Sequence, residues 1–234
     1  MRPGIGVAQV VAVPKGKPKA KPSKADAALA RKEETRRKLL DAARCAFIEH
    51  GFHATRPQDI SKRAGVGHGT FYLHFEDKLD CFLSFASEAA DELELVIATK
   101  TVNALDPEPM LRQTLLAIFD YSDANPGIMR AVLTDVSFML PAEAQHRLPI
   151  QRWADKWTRI VEFWKARGSV ARELDSRLLA SVILGGIRQA GWNVDQSEND
   201  RTQAMQTLTR IFLGALQAPD LGLTTASSGE DPKR

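Results

Sequence analysis

The 234-residue sequence has few of the features that mark secreted, membrane-spanning or disulfide-stabilised proteins. Its two cysteines, Cys45 and Cys81, are too few for a disulfide framework, and we expect both to be reduced thiols in a cytoplasmic protein. No run of about 18 apolar residues is present, so we expect no membrane-spanning segment. With 44% hydrophobic and 26% charged residues, the composition is that of a globular protein with one large or two modest domains.

Catalytic and metal-binding motifs are also missing. The C-terminal part of the chain has no GxSxG, no glycine-rich phosphate loop after a strand and no paired carboxylates at a catalytic spacing. His50 and His53 are three residues apart, but Gly51 ends the predicted helix between them and no further ligand is placed to help. We therefore expect neither an enzyme nor a bound cofactor or metal.

Basic residues are concentrated at the start of the chain. Residues 1–38 contain eleven Lys or Arg and three acidic residues, whereas the remainder contains 21 basic and 26 acidic residues. Pro14, Pro18 and Pro22 interrupt this segment, which predicts a flexible basic arm over residues 1–30. A basic end on a mildly acidic protein indicates a polyanionic partner. A second disordered segment is predicted over residues 219–234, which are rich in Gly, Ser and Thr.

Helical periodicity begins at Glu33 and continues through almost all of the chain. Apolar residues recur at spacings of three and four, and the alternation expected of strands is not sustained. The sequence therefore predicts an all-α fold of about nine helices, with one domain over residues 31–80 and another over 81–218. The predicted helices cover residues 34–50, 57–64, 68–74, 76–99, 108–123, 126–140, 142–167, 175–194 and 198–217.

Two short predicted helices, 57–64 and 68–74, flank a turn that contains two glycines. This arrangement is typical of a helix-turn-helix. We assign Phe71 and Phe75 to the core. The polar side chains between them are predicted to contact a partner molecule. Short polar groups near the start of such a helix can meet base edges in a major groove, and groups further along can meet phosphates.

Residues 35–82 resemble the DNA-binding domain of the tetracycline-repressor (TetR) family. The resemblance lies in LLDAA and HGF in the first helix, DISKRAGVG through the turn and GTFYLHFEDK through the second short helix. It implies a repressor that binds a palindromic DNA operator as a homodimer and is released by a small, apolar effector. The alternative is a ligand-independent or architectural DNA-binding protein whose C-terminal domain only dimerises.

The candidate DNA contacts follow from the residue types and from the resemblance. His68 is placed to read a base edge, Tyr72 and His74 to reach phosphates, and Lys78 to bind a phosphate near a helix start. Thr55 is expected to cap the second helix and, by resemblance, to touch a phosphate. Arg56 either contacts DNA or is simply solvated. The full predicted set is Arg36, Arg37, Thr55, Arg56, Gly67, His68, Gly69, Thr70, Tyr72, His74 and Lys78.

The C-terminal helices carry aromatic and small residues that have two interpretations. The aromatic residues either form the core or, as the resemblance implies, line an effector cavity; the candidates are Phe85, Phe119, Trp153, Trp157 and Trp192. The last two helices either form an intrachain hairpin or pair with a second subunit in a four-helix bundle, and the resemblance favours the second. The predicted dimer contacts are Ser181, Leu184, Gly185, Met205, Leu208, Phe212 and Ala215.

We predict that the basic arm acts as an extra DNA clamp rather than a solubilising tail. Deletion of residues 1–30 should weaken DNA binding and flatten its salt dependence, because each lost phosphate contact lowers the slope of log affinity against log salt by about 0.9. Fluorescence anisotropy over a KCl series measures that slope. An unchanged slope would contradict the clamp.

Overall fold

The computed structural model describes residues 23–132, 149–192 and 198–216. Within these ranges the protein forms nine α-helices and no strand, which confirms the predicted all-α fold. The helices are α1 (Lys24–Ala54), α2 (Pro57–Arg63), α3 (His68–Phe71), α4 (Lys78–Thr101), α5 (Pro107–Ala124), α6 (Ile128–Val132), α7 (Pro149–Ala166), α8 (Ser176–Trp192) and α9 (Glu198–Leu216).

The chain divides into two compact units, Met1–Arg37 and Lys38–Arg234. In the first unit, α1 begins at Lys24, which corrects the prediction that the whole of residues 1–30 is disordered. Ser23 and Asp26 explain the early start: the Ser23 N–H donates to Asp26 Oδ2 at 3.0 Å, and the Asp26 N–H donates to Ser23 Oγ at 3.1 Å. Such a capping box satisfies two backbone donors that a helix start would otherwise leave without partners. Residues 1–22 of the predicted arm lie outside the described residues.

A glycine interrupts the end of α1. Gly51 has φ 74° and ψ 170°, so helical geometry breaks where the sequence predicts a stop, although a final turn continues to Ala54. This kink brings Phe52 into the core beside Phe47, with the two ring centroids 6.1 Å apart. We call residues 38–77, with the second part of α1, α2 and α3, the head.

The turn between α2 and α3 is also built around a glycine. Gly65 has φ 69°, and the N–H groups of Gly65 and Val66 donate to the carbonyls of Lys62 and Ser61 at 3.2 and 3.0 Å. This is the Schellman pattern that ends a helix. α3 ends at Phe71 rather than at the predicted residue 74, but its turns continue, because Phe75 N–H still donates to the Phe71 carbonyl at 3.0 Å.

Helix α4 belongs to both halves of the second unit. It begins after Asp77, whose carboxylate accepts the Asp80 N–H at 2.8 Å. Phe82 and Phe85 of its first turns pack on the head, whereas its later turns pack on α5 and α7. The domain boundary predicted between residues 80 and 81 therefore falls inside a continuous helix.

Helices α4 to α9 form a helical bundle that we call the body. α5 packs against α4, α8 and α9, and α7 packs against α8 and α4. α6 begins at Ile128 rather than at Pro126, since Gly127 precedes it with φ 80°. Residues 133–148 lie outside the described residues and include the predicted end of the sixth helix and start of the seventh. Among the described helices, none is long and apolar enough to cross a membrane.

Gly127 is a position where no side chain fits, and we predict that Gly127→Ala destabilises the fold. Its φ of 80° strains any residue with a Cβ, and that Cβ would lie 2.8 Å from Ile48 Cγ2. The free energy of unfolding should fall by about 1–3 kcal/mol.

Gly214 in α9 provides the matched control. A Cβ there meets nothing within 4 Å, so Gly214→Ala should leave stability unchanged or raise it by up to about 1 kcal/mol. Denaturant titration of both variants gives the comparison. Equal stabilities would show that the Gly127 backbone is not held as described.

Candidate nucleic-acid interface and effector cavity

Helix α3 has one buried and one exposed side. Phe71 and Phe75 are buried with their ring centroids 5.4 Å apart, which confirms their assignment to the core. Gly67, His68, Gly69 and Tyr72 are exposed, and Thr70 and His74 are partly exposed, so the predicted polar residues lie on the solvent side of a helix fixed from behind. A Cβ at Gly69 would meet nothing within 4 Å, so no other described part of the chain covers this position.

The aromatic side chains of this surface are arranged in a row. The rings of His68 and Tyr72 pack edge to face with centroids 5.2 Å apart, and the Tyr72 ring packs in the same way on Phe71 at 5.3 Å. These contacts fix the orientation of the Tyr72 ring, and half of the surface of this side chain remains exposed. Leu73 beside it is 74% exposed, a position that the sequence prediction missed. The sequence did carry a signal for Leu73: it is an apolar residue between polar ones, at a position that does not face the core.

Thr55 differs from its prediction. It is 1% exposed, and its hydroxyl lies 2.8 Å from the Gly51 carbonyl and 3.1 Å from the Ala46 carbonyl. It thus binds carbonyls at the kinked end of α1 and has no access to a phosphate. The N-cap of α2 is Arg56, whose N–H donates to Asp59 Oδ2 at 3.2 Å, so the prediction that Thr55 caps this helix is wrong.

Lys78 also has a partner inside the protein. Its Nζ donates to the carbonyls of Phe52 at 2.8 Å and His53 at 3.2 Å, and it lies 4.5 Å from the centroid of the Phe52 ring. Burial lowers the pKa of the Lys78 ammonium. Two of its three donors are used in this way, so Lys78 ties the start of α4 to the end of α1 and is not the free phosphate ligand that was predicted.

The three predicted arginines lie at different places. Arg36 and Arg37 belong to the first unit, where Arg37 Nη2 pairs with Glu34 Oε2 at 2.7 Å. Arg56 lies in the second unit, exposed at the start of α2.

A polar cluster connects the head to the body. Arg44 of α1 donates to both oxygens of Glu92 in α4, at 2.8 and 3.1 Å, and to Asn125 Oδ1 at 2.8 Å. The Tyr121 hydroxyl of α5 donates to Glu92 Oε2 at 2.7 Å. These hydrogen bonds, that from Arg44 foremost, lower the pKa of Glu92, while burial raises the pKa of Tyr121. A bidentate arginine–carboxylate pair fixes both distance and angle, so it defines how the two halves meet.

The body encloses an apolar cavity of about 120 Å³ between α4, α5, α7 and α8. Its walls are mainly aliphatic, with two tryptophans and a few polar groups. The Thr114 hydroxyl on this wall is 2% exposed and has no hydrogen-bond partner within the described part of the chain. The lining residues are Leu93, Glu94, Ile97, Thr101, Met110, Thr114, Ile118, Trp153, Lys156, Trp157, Ile160, Leu184 and Ile187.

The five aromatic residues predicted for the effector site lie in different places. Trp153 and Trp157 line the cavity. Phe85 does not, because it packs against Phe47 at 5.7 Å and so joins α4 to the head. Phe119 faces α9, where the Arg201 guanidinium lies 5.6 Å from its ring. The side chain of Trp192 lies outside the described residues. Spacing along a helix identified the aromatic positions but not the direction in which each one points.

Two of the residues predicted for the dimer interface are buried within the protomer. Leu184 is buried and lines the cavity, and buried Phe212 packs against Gly186, where an added Cβ would lie 2.5 Å from Phe212 Cζ. Both residues thus pack within one chain, where α8 and α9 meet, and their contact with a partner stays a prediction. Met205 and Leu208 are partly buried beside them.

The outer side of α8 and α9 carries the remaining predicted residues. Ser181, Gly185 and Ala215 are exposed there. Three large apolar side chains are exposed with them and were missed by the sequence prediction: Leu178, Val182 and Ile211. We call these six residues the outer α8–α9 face.

Cysteine and metal chemistry give no second site in the ranges that the structure covers. Cys45 is exposed and Cys81 buried, both as free thiols. No group of three or more His, Cys, Asp or Glu side chains in the described residues is placed to hold a metal ion.

The sequence matches a known protein family. A family model described as bacterial regulatory proteins, tetR family, matches residues 39–85. The HTH-type transcriptional activator FasR of Mycolicibacterium smegmatis is 32% identical over 90 residues, which cover 38% of this chain and only 41% of FasR. The uncharacterized HTH-type transcriptional regulator YdgC of Bacillus subtilis is 30% identical over 158 residues, covering 66% of this chain and 77% of YdgC.

The fold is likewise that of solved regulators. The crystal structure of FadR from Bacillus subtilis in complex with stearoyl-CoA has a TM-score of 0.64 to this chain at 19% identity, covering 76% of this chain and 98% of FadR. The agreement extends well beyond the residues matched by the family model. The chain therefore belongs to the tetR family of bacterial regulatory proteins, the helix-turn-helix transcriptional regulators that bind DNA.

Proposed function

We propose that this protein is a cytoplasmic, homodimeric repressor that binds a palindromic operator and is released by a small apolar effector. The observation that carries the proposal is the exposed surface of α3, on which His68, Thr70, Tyr72 and Leu73 surround the open backbone of Gly69. Polar and aromatic groups on a helix that the core holds rigidly are suited to a DNA groove.

Each side chain on this surface has a proposed contact. His68 meets a base edge, where an imidazole can donate or accept according to its tautomer. Tyr72 and His74 meet phosphates, and Leu73 packs against a sugar or a thymine methyl group. Arg56 at the start of α2 adds a charge-assisted contact to a phosphate. Arg36 and Arg37 of the first unit are separately proposed to contact phosphates. Lys78 contributes indirectly by fixing α4 to the head.

Dimerisation is proposed to use the outer α8–α9 face. Leu178, Val182 and Ile211 expose apolar area that a second copy would bury, and Ser181 and Gly185 let a helix approach closely. Two-fold symmetry would then place two α3 helices in successive major grooves about 34 Å apart, as a palindromic operator requires.

The effector is proposed to bind in the 120 Å³ cavity and to act through α4. An engineered apolar cavity of about 150 Å³ binds benzene, so this one is large enough for a small apolar group. The buried hydroxyl of Thr114 has no partner among the described residues, and a ligand could make that hydrogen bond. The similar FadR was solved with stearoyl-CoA, which makes an apolar effector a reasonable candidate here.

Coupling between cavity and DNA is proposed to run through the second half of α4. Leu93, Glu94 and Ile97 line the cavity, while Glu92 binds Arg44 of the head. A ligand that shifts α4 must carry the Arg44–Glu92 pair with it and change the separation of the two heads. Converting a dimer from mostly competent to mostly incompetent needs about 5.5 kcal/mol of differential binding. A ligand-independent DNA binder has no use for the cavity, which favours the effector-responsive proposal.

DNA contact is tested with two variants of the α3 surface. His68→Ala should change the ranking of operator variants, since a base contact is worth about 1–3 kcal/mol of discrimination. Tyr72→Phe should weaken binding to all of them alike, by about fivefold, through loss of one hydroxyl contact. Gel shifts on the DNA upstream of the protein's own gene, followed by anisotropy on base-substituted operators, give both values.

Thr55→Ser is the control for this pair, since it keeps the buried hydroxyl and should leave DNA affinity unchanged. Unaltered affinity and unaltered ranking in both α3 variants would contradict the assigned surface. Absence of any saturable, sequence-specific complex with the unmodified protein would contradict the proposed function itself.

Dimerisation is tested by Val182→Glu. Val182 is 52% exposed on α8, and a carboxylate there would be buried by a partner helix without a counter-charge. The dimer dissociation constant should rise at least about a hundredfold, with a parallel loss of operator binding. Analytical ultracentrifugation measures the first and anisotropy the second.

Leu95→Glu is the matched control, because Leu95 is 71% exposed on α4 and away from the outer α8–α9 face. It should leave both the oligomeric state and DNA binding unchanged. A Val182→Glu protein that remains a dimer would place the subunit contact elsewhere.

A further inference from the structure

A wide groove lies on the surface of the body beside the apolar cavity. It has a volume of about 660 Å³ and is more open than the cavity beside it. The two adjoin each other, because four residues from three helices line both: Glu94 of α4, Met110 of α5, and Lys156 and Ile160 of α7. Leu105 and Phe163, both exposed, add apolar area to the groove.

The groove differs from the cavity in its charge. Arg152, Lys156 and Arg159 line it at positions i, i+4 and i+7 of α7, a spacing that places them along one side of a helix. Among the described residues that line cavity and groove, the acidic one is Glu94. Three cations thus face one carboxylate at the point where the apolar cavity opens.

The existing ion pairs leave part of this positive charge without a counter-ion. Arg152 pairs with Asp91 at 2.7 Å and with Glu94 at 3.1 Å, while Lys156 Nζ lies 3.9 Å from Glu94. The same Glu94 also accepts the Trp153 Nε1–H at 2.7 Å. Arg159 has neither a hydrogen bond nor an ion pair from its side chain in the part of the chain described. A single carboxylate shared between three donors cannot satisfy a further guanidinium one turn away.

We infer that the effector is an anionic amphiphile, with an aliphatic chain in the cavity and its negatively charged head in the groove against Arg159 and Lys156. This inference rests on the proposed effector-responsive function and names the chemistry of the effector. The aliphatic walls select the chain by excluding water, and the cations select the head by charge. A neutral apolar molecule would fill the cavity but leave Arg159 without a partner.

Two sources carry this chemistry: a free fatty acid, with a carboxylate head, and an acyl thioester of coenzyme A, with a phosphorylated head. Octanoate and octanoyl-CoA represent them, because a short chain suits a cavity of about 120 Å³. Octan-1-ol is the neutral ligand with the same chain, and coenzyme A alone is the head without a chain. Quenching of the fluorescence of Trp153 and Trp157, which line the cavity, reports occupancy, and calorimetry gives the affinity.

At least one of the two anionic ligands should bind about tenfold more tightly than octan-1-ol, and the tighter of the two identifies the source. Coenzyme A alone should not quench the tryptophans. Equal affinity for octan-1-ol and both anions would overturn the inference, as would tight binding of coenzyme A without a chain.

Two variants test the residues. Arg159→Gln should weaken the anionic ligand about fivefold and leave octan-1-ol unchanged. Glu94→Gln keeps an oxygen for Trp153 but removes the one negative charge, so it should strengthen the anionic ligand by a similar factor. Arg172→Gln removes an exposed arginine outside the groove and should change neither. Identical responses of Arg159→Gln and Arg172→Gln would overturn the assignment.

Operator release is measured separately so that the two proposals fail in different ways. Binding of the anion without release of DNA supports the inference and contradicts the proposed effector response. Release of DNA by octan-1-ol alone, with no binding of either anion, overturns the inference and leaves the effector response standing.

Discussion

The packing of Phe82 and Phe85 of α4 on Phe47 of α1, with ring centroids 5.2 and 5.7 Å from Phe47, is the contact on which the rest of the structure depends. Through this contact, α4 belongs both to the core of the head and to the core of the body. The first turns of α4 complete the hydrophobic core of the head, and its later turns form a wall of the cavity. A helix of 24 residues is stiff over its length, so it cannot be displaced at one end without a response at the other.

Polar contacts fix the angle between α1 and α4 in addition to this apolar packing. The Phe47–Phe82 contact is apolar and edge to face, and it holds the two helices together without a hydrogen bond between the two rings. The Arg44–Glu92 pair is bidentate and the Lys78 ammonium binds two carbonyls, so both are sensitive to the angle between α1 and α4. Together they give the head one defined orientation on α4, and that orientation is what an effector must change.

The candidate site was predicted well where short-range sequence order fixes position. His68, Tyr72 and Phe71 fall on the expected sides of α3, because two phenylalanines four residues apart define which side is buried. Thr55 and Lys78 were assigned to DNA by residue type, and both are used inside the protein instead. Near the kink at Gly51, the Thr55 hydroxyl donates to the Gly51 carbonyl and the Lys78 ammonium donates to the Phe52 carbonyl. The break at Gly51 is predicted from the sequence, but the tertiary structure decides which side chains bind the carbonyls beside it.

The sequence by itself determined the all-α fold, the helix-turn-helix, the capped starts of α4 and α8 and the basic character of the first residues, since each depends on neighbours within a few positions. Only the tertiary structure decided which side of each body helix faces inward. Leu184 and Phe212 fit a dimer stripe as well as a core, and Phe85 fits a cavity as well as the head. Apolar residues at helical spacing specify that a face is buried, and the partner that buries it depends on how several helices cross.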